Sequence, residues 1–302
     1  MTRGYVLSIS LLASIWGASY LFIKVGVRDV EPATLMFMRV ALAALLLVPF
    51  VLATRGVRRG GAELRAAAVP ALVLGTINAA VPFTLIAWGE KYIDSGAAAV
   101  ANATVPLFVV LLAIKVRPSE RAAGVRLAGI LLGLAGVILL AGAQPNGGWW
   151  AVAGTLAVVL ASLSYASGAL YGQARTGELS GPVLAAATVV GAAVVLAPFA
   201  AAQAPDHMPG WKAIASILAL GIGGTALAQL VLFRMFRLYG ASRTTLVTYL
   251  MPPIALFYGG VFLSESLTLA SVGGLVIILA GVALGSGAVT LGRRREAATA
   301  ST

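Results

Sequence analysis

The sequence repeats half of itself, and this repeat constrains the fold more than any other feature. The stretch from Tyr92 to Gly142 has a second copy that begins at Tyr239, with the same landmarks in the same order. The matched landmarks are Pro106 with Pro252, Ser119-Glu120 with Ser264-Glu265, Gly129 with Gly274, and Gly136 with Gly281. Self-similarity at a separation of about 145 residues indicates a chain built as two similar halves.

Nearly continuous apolar sequence identifies the environment of the chain. Of its 302 residues, 60% are hydrophobic and 10% are charged, and the mean hydropathy is +0.98. Charged residues make up about a quarter of soluble domains, and runs of roughly 20 apolar residues span a bilayer core. The runs are continuous rather than alternating, which excludes a transmembrane barrel. We predict an all-α polytopic membrane protein with ten transmembrane helices, at about 5–27, 33–54, 66–89, 95–115, 122–143, 149–173, 181–203, 211–234, 242–263 and 269–291.

The positive charges predict how the helices are oriented. If the N-terminus is cytoplasmic, sixteen of the 21 Lys and Arg residues lie on the cytoplasmic side, and only Arg28, Lys91 and Lys212 lie on the outer side. The remaining two, Lys24 and Arg39, lie inside helices. This asymmetry follows the positive-inside rule, so both termini are predicted to be cytoplasmic. The net charge of +11 is thereby explained by topology, and no nucleic-acid partner is predicted. The first apolar run has no cleavage site after a short core, so it is interpreted as a helix rather than a signal peptide.

Five helices per half is an odd number, so the second half must enter the membrane the other way up. We predict a first five-helix repeat at 1–146, a second, inverted five-helix repeat at 147–292, and a disordered cytoplasmic tail at 293–302. Inverted repeats of this kind build secondary transporters around a central cavity near the membrane midplane. The sequence therefore favours a transporter, although such a repeat could also serve as a scaffold.

A set of short motifs carries a family resemblance over nearly the whole chain. The set comprises Trp16-Gly17-Ala18-Ser19, Lys24, Arg39, Tyr92 with Ser95-Gly96-Ala97, Pro106, Ser119-Glu120, and Gly129, Gly133 and Gly136. Together these residues resemble the drug/metabolite transporter superfamily and its EamA-type ten-helix members. The resemblance implies two inverted five-helix repeats, a bacterial inner-membrane location, and export of small metabolites. The superfamily includes amino-acid exporters, one of them for aromatic amino acids, and its members do not share one substrate.

Helices 1 and 2 carry the first candidate substrate-binding residues. Trp16, Tyr20 and Lys24 form one stripe on helix 1, since they are spaced by four residues. The stripe could face the cavity, with aromatic walls and an ammonium for a carboxylate, or it could be an aromatic belt with a snorkelling lysine. Arg39 lies about 10 Å along helix 2 from its outer end, at 1.5 Å per residue. It should face protein or water, either as a carboxylate ligand or as a donor to backbone carbonyls.

The other candidates are polar or aromatic residues inside apolar helices. They are Asn78, Phe83 and Trp88 on helix 3, Asn102 on helix 4, Tyr165 on helix 6 (the repeat counterpart of Trp16), Gln229 on helix 8 and Tyr249 on helix 9. They could line the cavity or form hydrogen bonds between helices. Pro106, Pro252 and Pro253 should kink helices 4 and 9, as gating hinges or as packing features. The glycines of helices 5 and 10 are interpreted as close-packing faces.

The residues that are missing restrict the chemistry. No Asp or Glu lies inside the ten predicted spans, the sole His is His207 in an outer loop, and there is no Cys. We predict no cofactor, no metal site and no enzymatic activity. An intramembrane enzyme acting on lipid-linked substrates is disfavoured because it would need an acid–base pair. A non-transporting membrane scaffold or sensor is disfavoured by Lys24 and Arg39 within the spans.

The predicted partners are the lipid bilayer and a neutral, zwitterionic or anionic small molecule, because no intramembrane carboxylate is present to bind a cation. The chain could act as a monomer or a homo-oligomer. We predict an exporter of amino acids or similar metabolites that works by alternating access. Facilitated movement or exchange is favoured over carboxylate-driven proton antiport, since a proton relay usually needs an intramembrane carboxylate or His.

Overall fold

The computed structural model describes residues 3–116, 125–142, 148–177 and 179–285, and all regular structure in these ranges is helical. The predicted tail at 293–302 lies outside the described residues. Ten apolar helical segments follow the order predicted from the sequence. They are α1 (Arg3–Gly26), α2 (Pro32–Arg55), α3 (Ala68–Gly89), α4 (Ser95–Asn102 and Val105–Val116), α5 (Val125–Gly142), α6 (Trp149–Arg175), α7 (Gly181–Ala202), α8 (Trp211–Tyr239), α9 (Val247–Leu263) and α10 (Leu269–Gly285).

Seven of these segments are long and apolar enough to cross a membrane by length and composition alone. The other three, within α5, α9 and α10, are apolar but shorter. The first described residue of α5 and the last of α10 adjoin stretches outside the described ranges. The chain is therefore a multi-pass, all-helical membrane protein, as the sequence predicts.

A short helix at Val57–Ala66 was not predicted, because its Arg-Gly-Gly sequence suggests a turn. Its charges explain why it forms: Arg59 Nε lies 2.9 Å from Glu63 Oε1, one helical turn away. Arg55, at the end of α2, reaches the same carboxylate at 3.4 Å. Gly60 lies against the backbone of Val51, so the helix folds back closely onto α2. With three arginines on its surface, it suits the membrane interface.

Two π-helical segments interrupt the long helices at equivalent places in the two halves. They are Thr76–Ala80 within α3 and Ala219–Leu227 within α8. A π segment inserts extra chain into an α-helix, leaves some carbonyls without their usual donors, and is frequent at functional sites. Both segments lie near the middle of the membrane helices, where a translocation site is expected.

The contacts between helices follow the repeat. Three contacts pair a helix with its own counterpart: α2 with α7, α4 with α9, and α5 with α10. The contacts of α1 with α8 and α9 are mirrored by those of α6 with α3 and α4. An operation that exchanges the halves therefore maps this packing onto itself, as expected for a duplicated fold.

Glycines let the paired helices approach closely. A Cβ added at Gly129 of α5 would meet the backbone of Gly281 and Gly285 of α10. Gly75 of α3 and Gly191 of α7 make a similar backbone-to-backbone approach. Small residues at such interfaces are the usual way in which membrane helices associate, so the glycines act in packing, as predicted.

Candidate functional site

Arg39 lies at the centre of the molecule, where helices from both halves meet. Only 4% of its surface is exposed. Its Nε donates to Thr225 Oγ1 at 2.8 Å, and Nη2 donates to the carbonyl of Gly224 at 3.5 Å, both in the π segment of α8. The guanidinium carbon lies 3.9 Å from the ring centre of Phe83 on α3. The guanidinium is thus held by a hydroxyl, a carbonyl and a cation–π contact rather than by a carboxylate.

Aromatic and polar side chains extend this centre toward α1, α4 and α6. The Phe83 ring meets Tyr165 edge to face, with 6.4 Å between ring centres. The amide nitrogen of Asn102 donates to the hydroxyl of Tyr20 at 2.8 Å, and Ser162 Oγ donates to the amide oxygen of Asn102 at 3.1 Å. We name the group of Tyr20, Arg39, Phe83, Asn102, Tyr165 and Thr225 the central cluster.

Two serines on α6 lie beside carbonyls that have lost their usual donors to prolines. Pro106 has no N–H for the carbonyl of Asn102, and α4 is interrupted at residues 103–104. Ser162 Oγ lies 3.4 Å from that carbonyl. Pro82 likewise has no N–H for the carbonyl of Ile77 in the π segment of α3, and Ser164 Oγ donates to it at 2.6 Å. The carbonyl of Ile77 in the irregular backbone of α3 is therefore satisfied from α6, as buried membrane segments require.

Lys24 lies at the predicted outer end, beyond the cluster. Its Nζ donates to the carbonyls of Glu90 and Ile93, at 2.6 and 2.7 Å. These carbonyls end α3 and form the turn into α4, so the ammonium caps a helix C-terminus. Two of its three donors are occupied by backbone, and this contact holds α1 against the α3–α4 turn.

Glu90, beside Lys24, is a completely buried acid. Its side chain is 0% exposed, and neither carboxylate oxygen accepts a hydrogen bond from the described part of the chain. Burial raises the pKa of Glu90 well above its usual range, against the opposing effect of the Lys24 ammonium. The sequence places Glu90 at a helix end, where acids are usually solvated, so its burial could not be anticipated.

The remaining predicted residues lie outside the central cluster. Trp16 packs against a second apolar cluster that includes Met235, nearer the predicted cytoplasmic end. Trp88 contacts Tyr92, which stacks on Trp150 at 5.1 Å, in an aromatic group at the outer end.

The other candidates lie on α3, α8 and α9. Asn78 packs against Gly168 of α6. Gln229 is half-buried, one helical turn beyond Thr225, and Tyr249 packs against the main core. Pro252 and Pro253 lie inside α9, which continues through both.

Thr225, Ser162 and Glu90 are the residues of this region that sequence reasoning did not select. Thr225 follows three glycines in an apolar run, which was a visible signal for an irregular backbone. Ser162 is one of several serines on α6, and only the fold shows which of them faces a proline-interrupted helix. The cluster as a whole offers a guanidinium beside aromatic rings, and this arrangement can bind a carboxylate attached to an apolar group.

Comparison with known proteins agrees with this architecture. The sequence profile of the EamA-like transporter family matches residues 3–142 and, again, residues 152–287. A solved crystal structure shares the fold with a TM-score of 0.65 at 22% identity, covering 95% of this chain and 98% of that chain.

Three relatives align over almost their full length. The chain is 30% identical to an uncharacterized inner membrane transporter, YedA, of Escherichia coli K12, over 92% of this chain and 88% of YedA. It is 31% identical to a probable terminal-alkyne amino-acid exporter of Streptantibioticus cattleyicolor, over 94% and 93% of the two chains. It is 26% identical to a probable amino-acid metabolite efflux pump of Salmonella typhimurium LT2, over 90% and 91%.

Proposed function

Since this chain belongs to the EamA-like transporter family, we propose that it exports amino acids or closely related metabolites across the bacterial inner membrane by alternating access. It is a transporter and not an enzyme, like its relatives. The observation that carries the substrate class is the central cluster, where Arg39 lies buried among aromatic and hydroxyl groups without an acidic partner. Two relatives named as an amino-acid exporter and an amino-acid metabolite efflux pump support the same class.

The cluster favours a zwitterionic or anionic substrate. A guanidinium binds a carboxylate through two parallel hydrogen bonds, and only some of its five donors are used by Thr225 and Gly224. Phe83 and Tyr165 provide an apolar wall beside it, which suits an aromatic or other apolar side chain. Aromatic amino acids are therefore the first candidates within the proposed class.

The two ends of the molecule differ in a way that supports alternating access. At the predicted outer end, α1 packs against α4 and Lys24 binds the α3–α4 turn. The equivalent contact at the other end would join α6 to α9. In the described residues, α6 makes at most marginal contact with α9. Gln173, the counterpart of Lys24, is exposed and lines a pocket of about 490 Å³ at the cytoplasmic end. This pattern supports a conformation that is closed at the predicted outer end.

The facilitative or exchange mode that the sequence favours depends on the absence of an acid in the spans. Glu90 lies just outside the spans, after the last residue of α3, but its burial places in the protein interior a carboxyl group with no hydrogen-bonding partner in the described chain. The facilitative or exchange mode therefore stays a prediction. Exchange of one substrate molecule for another remains the simplest activity to measure, since it needs no gradient.

Counterflow in proteoliposomes tests the proposal. Vesicles preloaded with one unlabelled amino acid from an aromatic, aliphatic or polar panel should take up the labelled form transiently above equilibrium. No counterflow for any member of the panel would overturn the proposed substrate class.

Arg39→Ala should reduce counterflow about 10- to 100-fold, because a hydrogen bond to a charged group is worth about 1.5–3 kcal/mol. Arg28→Ala, on the exposed outer loop, is the matched control and should behave as the wild type. Arg39→Lys keeps the charge but loses the two-pronged geometry, so an intermediate rate is expected. If Arg39 is only a structural donor, Arg39→Ala will lower the melting temperature and leave the apparent KM of the remaining transport unchanged.

A further inference from the structure

The side chain of Glu90 lies where three parts of the protein meet at the outer end. Glu90 follows the last residue of α3, and its backbone carbonyl accepts a hydrogen bond from Lys24 of α1. The Lys24 ammonium is directed to the carbonyls of Glu90 and Ile93 rather than to the carboxylate. The neighbouring Lys91 points outward and pairs with Glu31 at 3.0 Å. The nearest cations are therefore engaged elsewhere, and the buried carboxyl group is left without a hydrogen-bonding partner in the described chain.

An ionised carboxylate in this position would be costly. A buried charge must be paired and hydrogen-bonded, or the group takes up a proton and becomes neutral. The charged and titratable groups that act on Glu90 are Lys24 of α1, Arg39 of α2, the phenol of Tyr20, and Glu265 between α9 and α10. The cations favour the ionised form, while burial and the second carboxylate favour the neutral form. These groups come from different helices, so their effect depends on how the helices are packed.

Glu265 ties the same place to the closure of the outer end. Its carboxylate accepts hydrogen bonds from Ser95 N and Ser95 Oγ, both at 2.8 Å, and from Gly96 N at 3.2 Å. This contact joins the second half of the chain to the first turn of α4, five residues after Glu90. Glu265 also acts electrostatically on Glu90, so the buried acid lies within reach of the contact that joins the two halves at this end.

The other half of the chain has no equivalent of this acid. When Tyr92 is aligned with Tyr239, the residue at the position of Glu90 is Arg237, which is exposed. The position of Lys24 is taken by Gln173. Among the described residues, a buried acid beside a lysine is found at the predicted outer end and not at the matching place in the second half.

We propose that Glu90 is a proton-binding site that stabilises the outer-closed conformation of the transporter. Closure transfers one proton from outer water to a carboxylate oxygen of Glu90, forming an O–H bond, and opening returns that proton to water as the side chain becomes solvated. The role of Glu90 in transport rests on the proposed function, whereas the protonation of Glu90 does not. Because the carboxyl group is harder to ionise when buried, closure is favoured at low pH and weakens as the outer pH rises.

Infrared spectroscopy measures the protonation directly. The wild type at neutral pH should show the C=O stretch of a buried carboxylic acid, which Glu90→Gln should remove and the exposed-site control Glu31→Gln should retain. If the wild type shows no such band that depends on Glu90, the proposal is wrong, whatever the transport assays give.

Cysteine labelling measures the link to closure, since the chain contains no cysteine of its own. Ala97→Cys, at a buried position in the first turn of α4, is labelled from outside with an impermeant maleimide, and its rate is normalised to Asp206→Cys on the exposed outer loop. The normalised rate should rise several-fold with outer pH, and adding Glu90→Gln should make it independent of pH. A pH response that persists unchanged in the Glu90→Gln background overturns the proposal.

The two proposals fail in different ways. Absence of counterflow for the amino-acid panel, with the infrared band and the labelling response present, refutes the substrate class and leaves the proton site. Counterflow without the band refutes the proton site and leaves the transporter.

Discussion

Removing the Glu265 carboxylate should open the outer end of the molecule. This side chain is the contact through which the α9–α10 loop holds the N-terminus of α4, and it accepts three hydrogen bonds there. Two of the three donors are backbone N–H groups of the first turn, which have no partner within their own helix. Glu265→Ala leaves them to water, which can reach them only if the loop and the helix separate.

The size of the effect follows from known capping energies. Loss of a capping side chain costs about 0.5–2 kcal/mol, and loss of a negative charge at a helix N-terminus costs about 0.3–1 kcal/mol. The closed state should therefore be weakened by about 1–3 kcal/mol, which corresponds to roughly a 5- to 100-fold increase in the population open to the outside. The half-buried position of Glu265 limits screening by solvent, so the upper part of this range is accessible.

Labelling of Ala97→Cys, a buried position in the first turn of α4 that takes no part in the Glu265 contact, provides the assay. With Glu265→Ala added, the rate of reaction with an impermeant maleimide from outside should increase about 5- to 100-fold by the same reasoning. Asp206→Ala, which removes an exposed outer acid, is the matched control and should leave the rate unchanged. An unchanged rate in Glu265→Ala, in protein that remains monodisperse, would show that this cap does not hold the outer end closed.

Three further predictions concern stability and loop contacts. Ser164→Ala should lower the free energy of unfolding by about 0.6–2 kcal/mol, and with it the melting temperature, because the buried carbonyl of Ile77 loses its donor. Ser167→Ala loses only a bond within its own helix and should have a smaller effect. Gly281→Ala should destabilise the α5–α10 interface, because its Cβ would meet backbone atoms, whereas Gly223→Ala faces open space and should be tolerated in the same thermal assay. Asp29 accepts hydrogen bonds from the α7–α8 loop, and these bonds lower the pKa of Asp29 from its usual value of 3.8. The loop contact is therefore fully present above pH 3.8 and is lost as the pH falls through the lowered pKa. Asp29→Asn should remove this acid transition from a titration that follows labelling of the loop.

The sequence predicts the helices and much of the cluster, because both depend on local chemistry. Apolar length and the repeat locate the ten segments in order. Arg39 and Asn102 stand out because a charge or an amide in an apolar run must find a partner. Asn102 donates to the predicted Tyr20, and Arg39 donates to Thr225 of the same cluster. The interpretation of Arg39 as a ligand for a substrate carboxylate stays a prediction.

Tertiary contacts decide what the sequence could not. Lys24 has the same sequence signature as Arg39, yet its ammonium caps the end of α3, since the α3–α4 turn is folded against α1. Whether an acid at a helix end is solvated depends on what covers that end, and this is why Glu90 was grouped with surface acids. The roles of Ser162 and Ser164 likewise require knowing that α6 faces two proline-interrupted helices.

The two halves share their packing but differ in their chemistry, and this difference indicates how an inverted repeat acquires direction. Asn78 of α3 meets Gly168 of α6, while at the related contact Gly224 of α8 meets Ser19 of α1, so the polar side chain and the glycine have changed places. Such an exchange keeps the helix spacing and moves the hydrogen-bonding group to the other side of the site. A symmetric pair of gates would give equal free energies to the two access states. Residues that differ at equivalent positions, with the buried acid confined to the outer end, bias that equilibrium by the free energy of their own contacts, and outer pH can then adjust it.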